Sequence, residues 1–319
     1  MSPAALPSLP QQSTELHQLD LFVDGRDALL VHHVVTNLLA RNFDWATAGL
    51  AALRHEHPTH PDLPALALLI ESLRSSPPSP VSHATVIAVV DEVDRMLVPA
   101  ALRLLGRDAV AFLQPQWRML ATAASHLSFD ETNPRAHASW ICQQFEDWSA
   151  VRAAVEGERD WMKRPLLRYR LGLACHHLGD IEAAIRFWLP LCWIDPALFA
   201  RYAPALPNAT LREGWEAFER AGSFTESADG VQPATWFPPW LLVRDRRLAD
   251  LFQPSDIPDT GISSEVFRAL LALVTLERRG LSDDLIAHRR ALQRLSPDLF
   301  AYYMATLGGR RSPGKRVTQ

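Results

Sequence analysis

The chain has 319 residues, 48% of them apolar and 21% charged, with 32 basic against 36 acidic side chains and a formal charge of −4. That composition fits an ordinary folded protein of one or two domains with a large core. The charge balance supplies no long-range pull toward nucleic acid, so direct nucleic-acid binding is not expected.

Residues 1–17 hold Pro3, Pro7, Pro10 and several Ser and Gln, with little to pack, and read as a disordered arm. No basic region followed by an apolar run precedes residue 20, so no signal peptide is expected. No uncharged apolar stretch reaches the length of a membrane span. The three cysteines, Cys142, Cys175 and Cys192, lack metal-binding spacing and suit a reducing compartment, which makes a cytoplasmic location the expectation.

Gln18-Leu19-Asp20-Leu21-Phe22 follows the arm. This pentapeptide resembles the bacterial sliding-clamp-binding motif, Q-L-[S/D]-L-F. The resemblance implies an extended peptide in a groove of the clamp ring, with Gln18 hydrogen-bonded at one end and Leu19 at the edge. Leu21 and Phe22 then fill the apolar pocket, and Asp20 takes the variable position. The competing reading folds Leu19, Leu21 and Phe22 onto the first helix, with Asp24 or Asp27 as its N-cap.

From residue 26 to 222 the pattern is helical almost throughout. Ala28, Leu29, Val31, Val34, Leu38 and Leu39 recur at three-to-four spacing, as do Val86, Val90, Val93, Leu97 and Leu102. Residues 74–80, with Pro77, Pro78 and Pro80, read as a loop. No stretch alternates apolar and polar residues between hairpin turns, so no substantial sheet is expected.

The clearest unit runs from Leu171-Gly172 through Gly179-Asp180 and Ala184 to Trp188, ending at Pro196. It resembles a tetratricopeptide repeat, with Cys175 and Leu191 as departures from the family pattern. In that family Gly172 permits close helix packing, Gly179-Asp180 turn the chain, Ala184 is the small residue of the second helix, and Trp188 takes the aromatic slot. Asp44-Trp45-Ala46-Thr47-Ala48 lies 136 residues, or four repeat lengths of about 34, before Asp180. Asp147-Trp148 lies 33 residues before it, and Pro297–Tyr303 echoes Pro196–Tyr202 at an offset of 101, as Gly280 and Ile286 echo Gly179 and Ile185. Trp45, Trp148 and Trp188 are expected in the core. The resemblance implies an all-α fold, an irregular tetratricopeptide-like superhelix of antiparallel helix pairs with a protein or peptide partner on its concave face.

Residues 223–261 carry five prolines and read as a connection to a C-terminal helical pair and a short helix over 262–307, followed by a basic disordered tail, 308–319. Within the connection, Trp236, Phe237 and Trp240 pack across the solenoid or form an aromatic, peptide-binding lip.

His55, His57 and His60 have neither the spacing of a zinc-protease helix nor an uninterrupted helix, since Pro58 intervenes. Asp91, Glu92 and Asp94 read as a charged outer face beside Arg95. Nucleophile-elbow and phosphate-loop patterns are absent. No catalytic, cofactor-binding or metal-ligating residue is therefore expected. The sequence points to a non-enzymatic scaffold or adaptor, with the DNA sliding clamp as partner through Gln18–Phe22. The alternatives are a plain adaptor unrelated to DNA and an enzyme with a site around His55, His57 and His60.

Overall fold

A computed structural model describes residues 14–74, 82–222, 232–280 and 282–309, with backbone alone at 14–24, 73, 279, 308 and 309. Among them every regular element is helical, in agreement with the periodicities. Most of the expected arm, most of the basic tail and all but the first residue of the proline loop at 74–80 lie outside the described residues. No helix among the described residues is long and apolar enough to cross a membrane. The chain divides into two compact units, Met1–Glu146 and Asp147–Gln319, and the division falls inside the stretch 26–222.

The first unit contains α1 (Thr14–Leu39), α2 (Phe43–Glu56), α3 (Leu63–Arg74), α4 (His83–Glu92), α5 (Val98–Leu105), α6 (Ala109–Ala124) and α7 (Ala138–Gln143). Val34 and Leu38 of α1 are buried with Leu50 and Leu53 of α2, Leu66 and Leu69 of α3, and Val86 and Val90 of α4. Their three- and four-residue spacings are what put each set on one helical face. Leu29, 69% exposed, and Leu39 lie off the stripe that Val34 and Leu38 define. A π-helical turn, Val93–Leu97, joins α4 to α5. Beyond it Ala101 and Leu105 face inward, while Leu102, five residues past Leu97, is 53% exposed.

The carboxylates of Asp91 and Asp94 are gathered by Arg135, and Arg95 stands beside them, 3.9 Å from Asp91. Arg135 Nη1 donates to Asp91 at 2.7 Å, and Arg135 Nη2 donates to Asp94. Its guanidinium also lies 4.7 Å from the centre of the Trp140 ring. The acidic face thus ties α4 and the π turn to the 3-10 turn Pro134–Ala136.

The second unit contains α8 (Trp148–Glu156), α9 (Pro165–His177), α10 (Ile181–Trp188), α11 (Leu191–Ile194), α12 (Pro196–Tyr202), α13 (Ala209–Ala221), α14 (Phe237–Arg244), α15 (Ile262–Arg279), α16 (Asp283–Leu295) and α17 (Pro297–Gly309). Side-chain caps start five of them: Asp147, Asp180, Asp195, Asn208 and Ser282 each accept the N–H three residues ahead. Each cap satisfies one of the donors that a helix start leaves open. A shift of 101 residues lays α9 within α15, α10 along Ser282 and α16, and α12 on the start of α17. The sequence echo therefore coincides with an echo of helix positions. Burial does not follow it throughout, since Ile185 is buried and Ile286 is exposed.

Candidate functional site

The α9–α10 hairpin holds the residues on which the repeat resemblance rests. Leu171, Ala184, Trp188 and Leu191 are buried, and Pro196 stands at the first turn of α12. The indole Nε1 of Trp188 donates to the carbonyl of Tyr169 at 3.0 Å. A side chain at Gly172 would meet this ring, because a Cβ there lies 2.3 Å from Nε1. Cys175 is buried, and that burial pushes its thiol pKa up. Two residues on, the ring of exposed His177 stacks on half-buried Trp148 at 3.9 Å with 4° between planes. Burial pulls neighbouring His176 below its ordinary pKa, and its buried Nδ1 has no hydrogen-bond partner.

The turn into α10 recurs. Gly179 has φ 88° and is followed by Asp180 at φ −87°, ψ 73°. Before α8, Glu146 at φ 57° precedes Asp147 at −82°, 76°. Before α2, Arg41 at φ 57° precedes Asn42 at −88°, 74°. In two of the turns the cap N–H also reaches back five residues, from Asn42 to Asn37 at 2.8 Å and from Asp180 to Cys175 at 2.9 Å.

This geometry corrects the alignment of the first fragment. The counterpart of Asp180 is Asn42, not Asp44, so the register is two residues off. Ala46, hydrogen-bonded to Asn42, matches Ala184, and both are buried. Trp45 does not enter the core and is 65% exposed.

The aromatic lip is also corrected. Phe237 and Trp240 are buried on α14, where Phe237 packs edge-on to Trp215 at 5.3 Å between ring centres and Trp240 stacks with Tyr302 at 6.2 Å. Trp236 is half-buried. Prolines at the first turn let this stretch begin a helix, because the missing N–H groups have no intrahelical partner there.

Gln18–Phe22 lies within α1, with a helical backbone rather than the extended form that the clamp motif implies. The side chains of Gln18, Leu19, Asp20, Leu21 and Phe22 lie outside the described residues. Of the histidines, His60 Nδ1 accepts the N–H of Asp62 at 3.2 Å, and its Nε2 is 3.7 Å from Asp27. Among the described residues no group of three His, Cys, Asp or Glu is placed to hold a metal ion.

The structure assembles one polar site that the sequence reading did not single out. A cleft of about 590 Å³ is lined by Arg244, Arg246, Arg247 and Arg278 together with Glu213 and Asp245. Its floor forms where α13 and α14 approach: a Cβ on Gly214 would lie 2.9 Å from Leu241. Arg247 makes two bonds to Asp245, at 2.9 and 3.0 Å, and Arg278 makes two to Asp250, one of them at 3.0 Å. Arg244 lies over the Trp240 ring, 4.7 Å from its centre.

Beneath the cleft, Arg246 pairs with Glu277, whose other carboxylate oxygen accepts from Arg289 at 2.9 Å and from the hydroxyl of buried Tyr303. Burial first, and then the bond to Glu277, push the Tyr303 pKa up to about 12. Three arginines in four residues, Arg244–Arg247, are visible in the sequence. Their meeting with Arg278, more than thirty residues away, depends on the packing of α14 and α15.

No family model, curated protein or solved structure matches the chain.

Proposed function

We propose that the chain is a non-enzymatic adaptor built on tetratricopeptide-like helical hairpins, with a protein or peptide partner held on the concave face of the array. The observation that carries this reading is the α9–α10 hairpin, where side-chain-free Gly172 sits against the Trp188 ring and the Gly179–Asp180 turn has the backbone angles seen before α2 and α8. Such hairpins cannot each bury an apolar face alone, and stacking them leaves extended surfaces for partners. The test is a pull-down with the intact chain, a chain lacking residues 1–22 and an unrelated helical protein. Partners kept by the truncated chain support binding by the helical body. An intact chain that retains nothing beyond the unrelated protein overturns the reading.

A second reading adds a tether to the bacterial DNA sliding clamp, and the letter-for-letter match of Gln18–Phe22 favours it. Because these residues are helical in α1, the clamp groove would take them only after the first turns of α1 unwind. A helix end carries the fewest hydrogen bonds to break. Purified clamp is expected to bind the intact chain and to lose a Leu21→Ala/Phe22→Ala variant. Equal affinity for the two would exclude the tether and leave the adaptor reading in place.

A further inference from the structure

The arginine cleft of the second unit brings four guanidinium groups to one opening. Glu213 and Asp245 line it with them, and Asp250 and Glu277 pair with Arg278 and Arg246 from just outside the lining. The Arg247–Asp245 and Arg278–Asp250 pairs are solvent-exposed, and such pairs are weak and exchange readily. Arg244 is exposed and oriented by the Trp240 ring, and buried Nη2 of Arg246 has no hydrogen-bond partner. The dipole of α14 favours one basic residue at its end, Arg244. It does not account for the convergence of Arg247 and Arg278 on the same opening.

We propose that this cleft is a binding site for a phosphate monoester. A monoester carries a charge of about −1.5 to −2 at neutral pH, more than either carboxylate it would displace. Its three acceptor oxygens suit planar guanidinium forks, which bind phosphate and carboxylate two-pronged. Asp245 and Asp250 already present single carboxylates to Arg247 and Arg278. A phosphate group competes with them by offering both forks a more highly charged partner at once. Glu213 opposes the anion and sets a limit on its affinity. The proposal is independent of the helical-repeat reading, since none of these residues belongs to the α9–α10 hairpin.

The test is calorimetric titration of the full chain with three probes: a phosphoserine peptide, the same peptide unphosphorylated, and glycerol phosphate. The variants are Arg244→Gln/Arg247→Gln, both exposed, and Glu213→Gln, each checked for native helicity. Phosphate esters are expected to bind more tightly than the unphosphorylated peptide, with affinity falling as salt rises. The double variant should lose at least about tenfold, and Glu213→Gln should tighten binding by a few-fold. Tighter binding of the phosphopeptide identifies a modified protein as the source, and equal binding of glycerol phosphate identifies a small phosphate ester. Phosphate esters that bind no better than the unphosphorylated peptide, or that bind the double variant as well as the wild type, overturn the proposal.

Discussion

The backbone of Gly172 and the indole of Trp188 occupy adjoining space that leaves no room for a methyl group, with a Cβ at 172 falling 2.3 Å from Nε1. The ring is fully buried and anchored through its N–H to Tyr169, so it cannot swing aside without losing that bond. Gly172→Ala is expected to destabilise the second unit by about 1–3 kcal/mol, the usual effect of overpacking. Urea denaturation measures this. In a Trp188→Leu background the same substitution should cost clearly less, and an unchanged cost would show that the ring is not what Gly172 accommodates.

The two tryptophans at 45 and 188 are expected to part company on truncation. Trp188→Ala removes a fully buried ring and should cost about 3–5 kcal/mol. Trp45→Ala, at a 65% exposed position, should change stability by no more than about 0.5 kcal/mol. Comparable losses in thermal denaturation would restore Trp45 to the core and undo the register set by Asn42.

At the recurrent turn, Glu146 holds φ 57° with a side chain that disfavours it, where Gly179 has none. Glu146→Gly is expected to stabilise the chain by about 0.5–1 kcal/mol by relieving left-handed strain. Asp180→Ala, which removes the acceptor for the Ala183 N–H, should destabilise by about 1 kcal/mol. Denaturant midpoints of both variants check the signs, and destabilisation by Glu146→Gly would show that the turn does not store this strain.

Glu277 sits among Arg246, Arg289 and Tyr303 with its side chain 12% exposed. Glu277→Gln keeps the shape and removes the charge, leaving two guanidinium groups facing each other's field. A loss of about 3 kcal/mol is expected, the scale for breaking a buried ion pair by removing one partner. A loss below about 1 kcal/mol in urea denaturation would mean that the network is solvated like a surface pair.

Two phenols, Tyr303 of this network and Tyr169 of α9, set an alkaline limit. Tyr303 and Tyr169 have folded pKa values raised to about 12 from 10.0, chiefly by burial. Proton binding is therefore tighter in the folded chain. The stabilisation is complete below pH 10 and disappears as pH rises through 12. Denaturation midpoints should fall across that window, and Tyr303→Phe should flatten part of the fall. A decline of the same steepness in the variant would assign it to other groups.

Much of the helical architecture was legible because local rules and packing agree. The spacing of Val86, Val90, Val93 and Leu97 marks a buried face, and Gly179-Asp180 announces its own turn. The first turn is hidden in the sequence because Arg41 takes the left-handed position that glycine usually fills, so Asp44-Trp45 looks like the better match. Trp236, Phe237 and Trp240 resemble a lip in a linker only while α13, α14 and α17 are unknown; once these pack, the rings have partners. The arginine cleft was invisible for another reason. Arg244–Arg247 and Arg278 are brought together by helix packing, and no spacing in the sequence encodes that meeting.

The 101-residue echo has a consequence for how the second unit yields. The position of Trp188 in α10 corresponds to Arg289 in α16, so the earlier hairpin is fastened by a buried ring and its later counterpart by ions and a phenol. Removing one charge loosens the second kind of fastening and leaves the first intact. Glu277→Gln should therefore speed amide exchange in α15, α16 and α17 while α9 and α10 keep their protection. One fold thus carries two thresholds of release, and the chemistry of each fastening decides which hairpin lets go first.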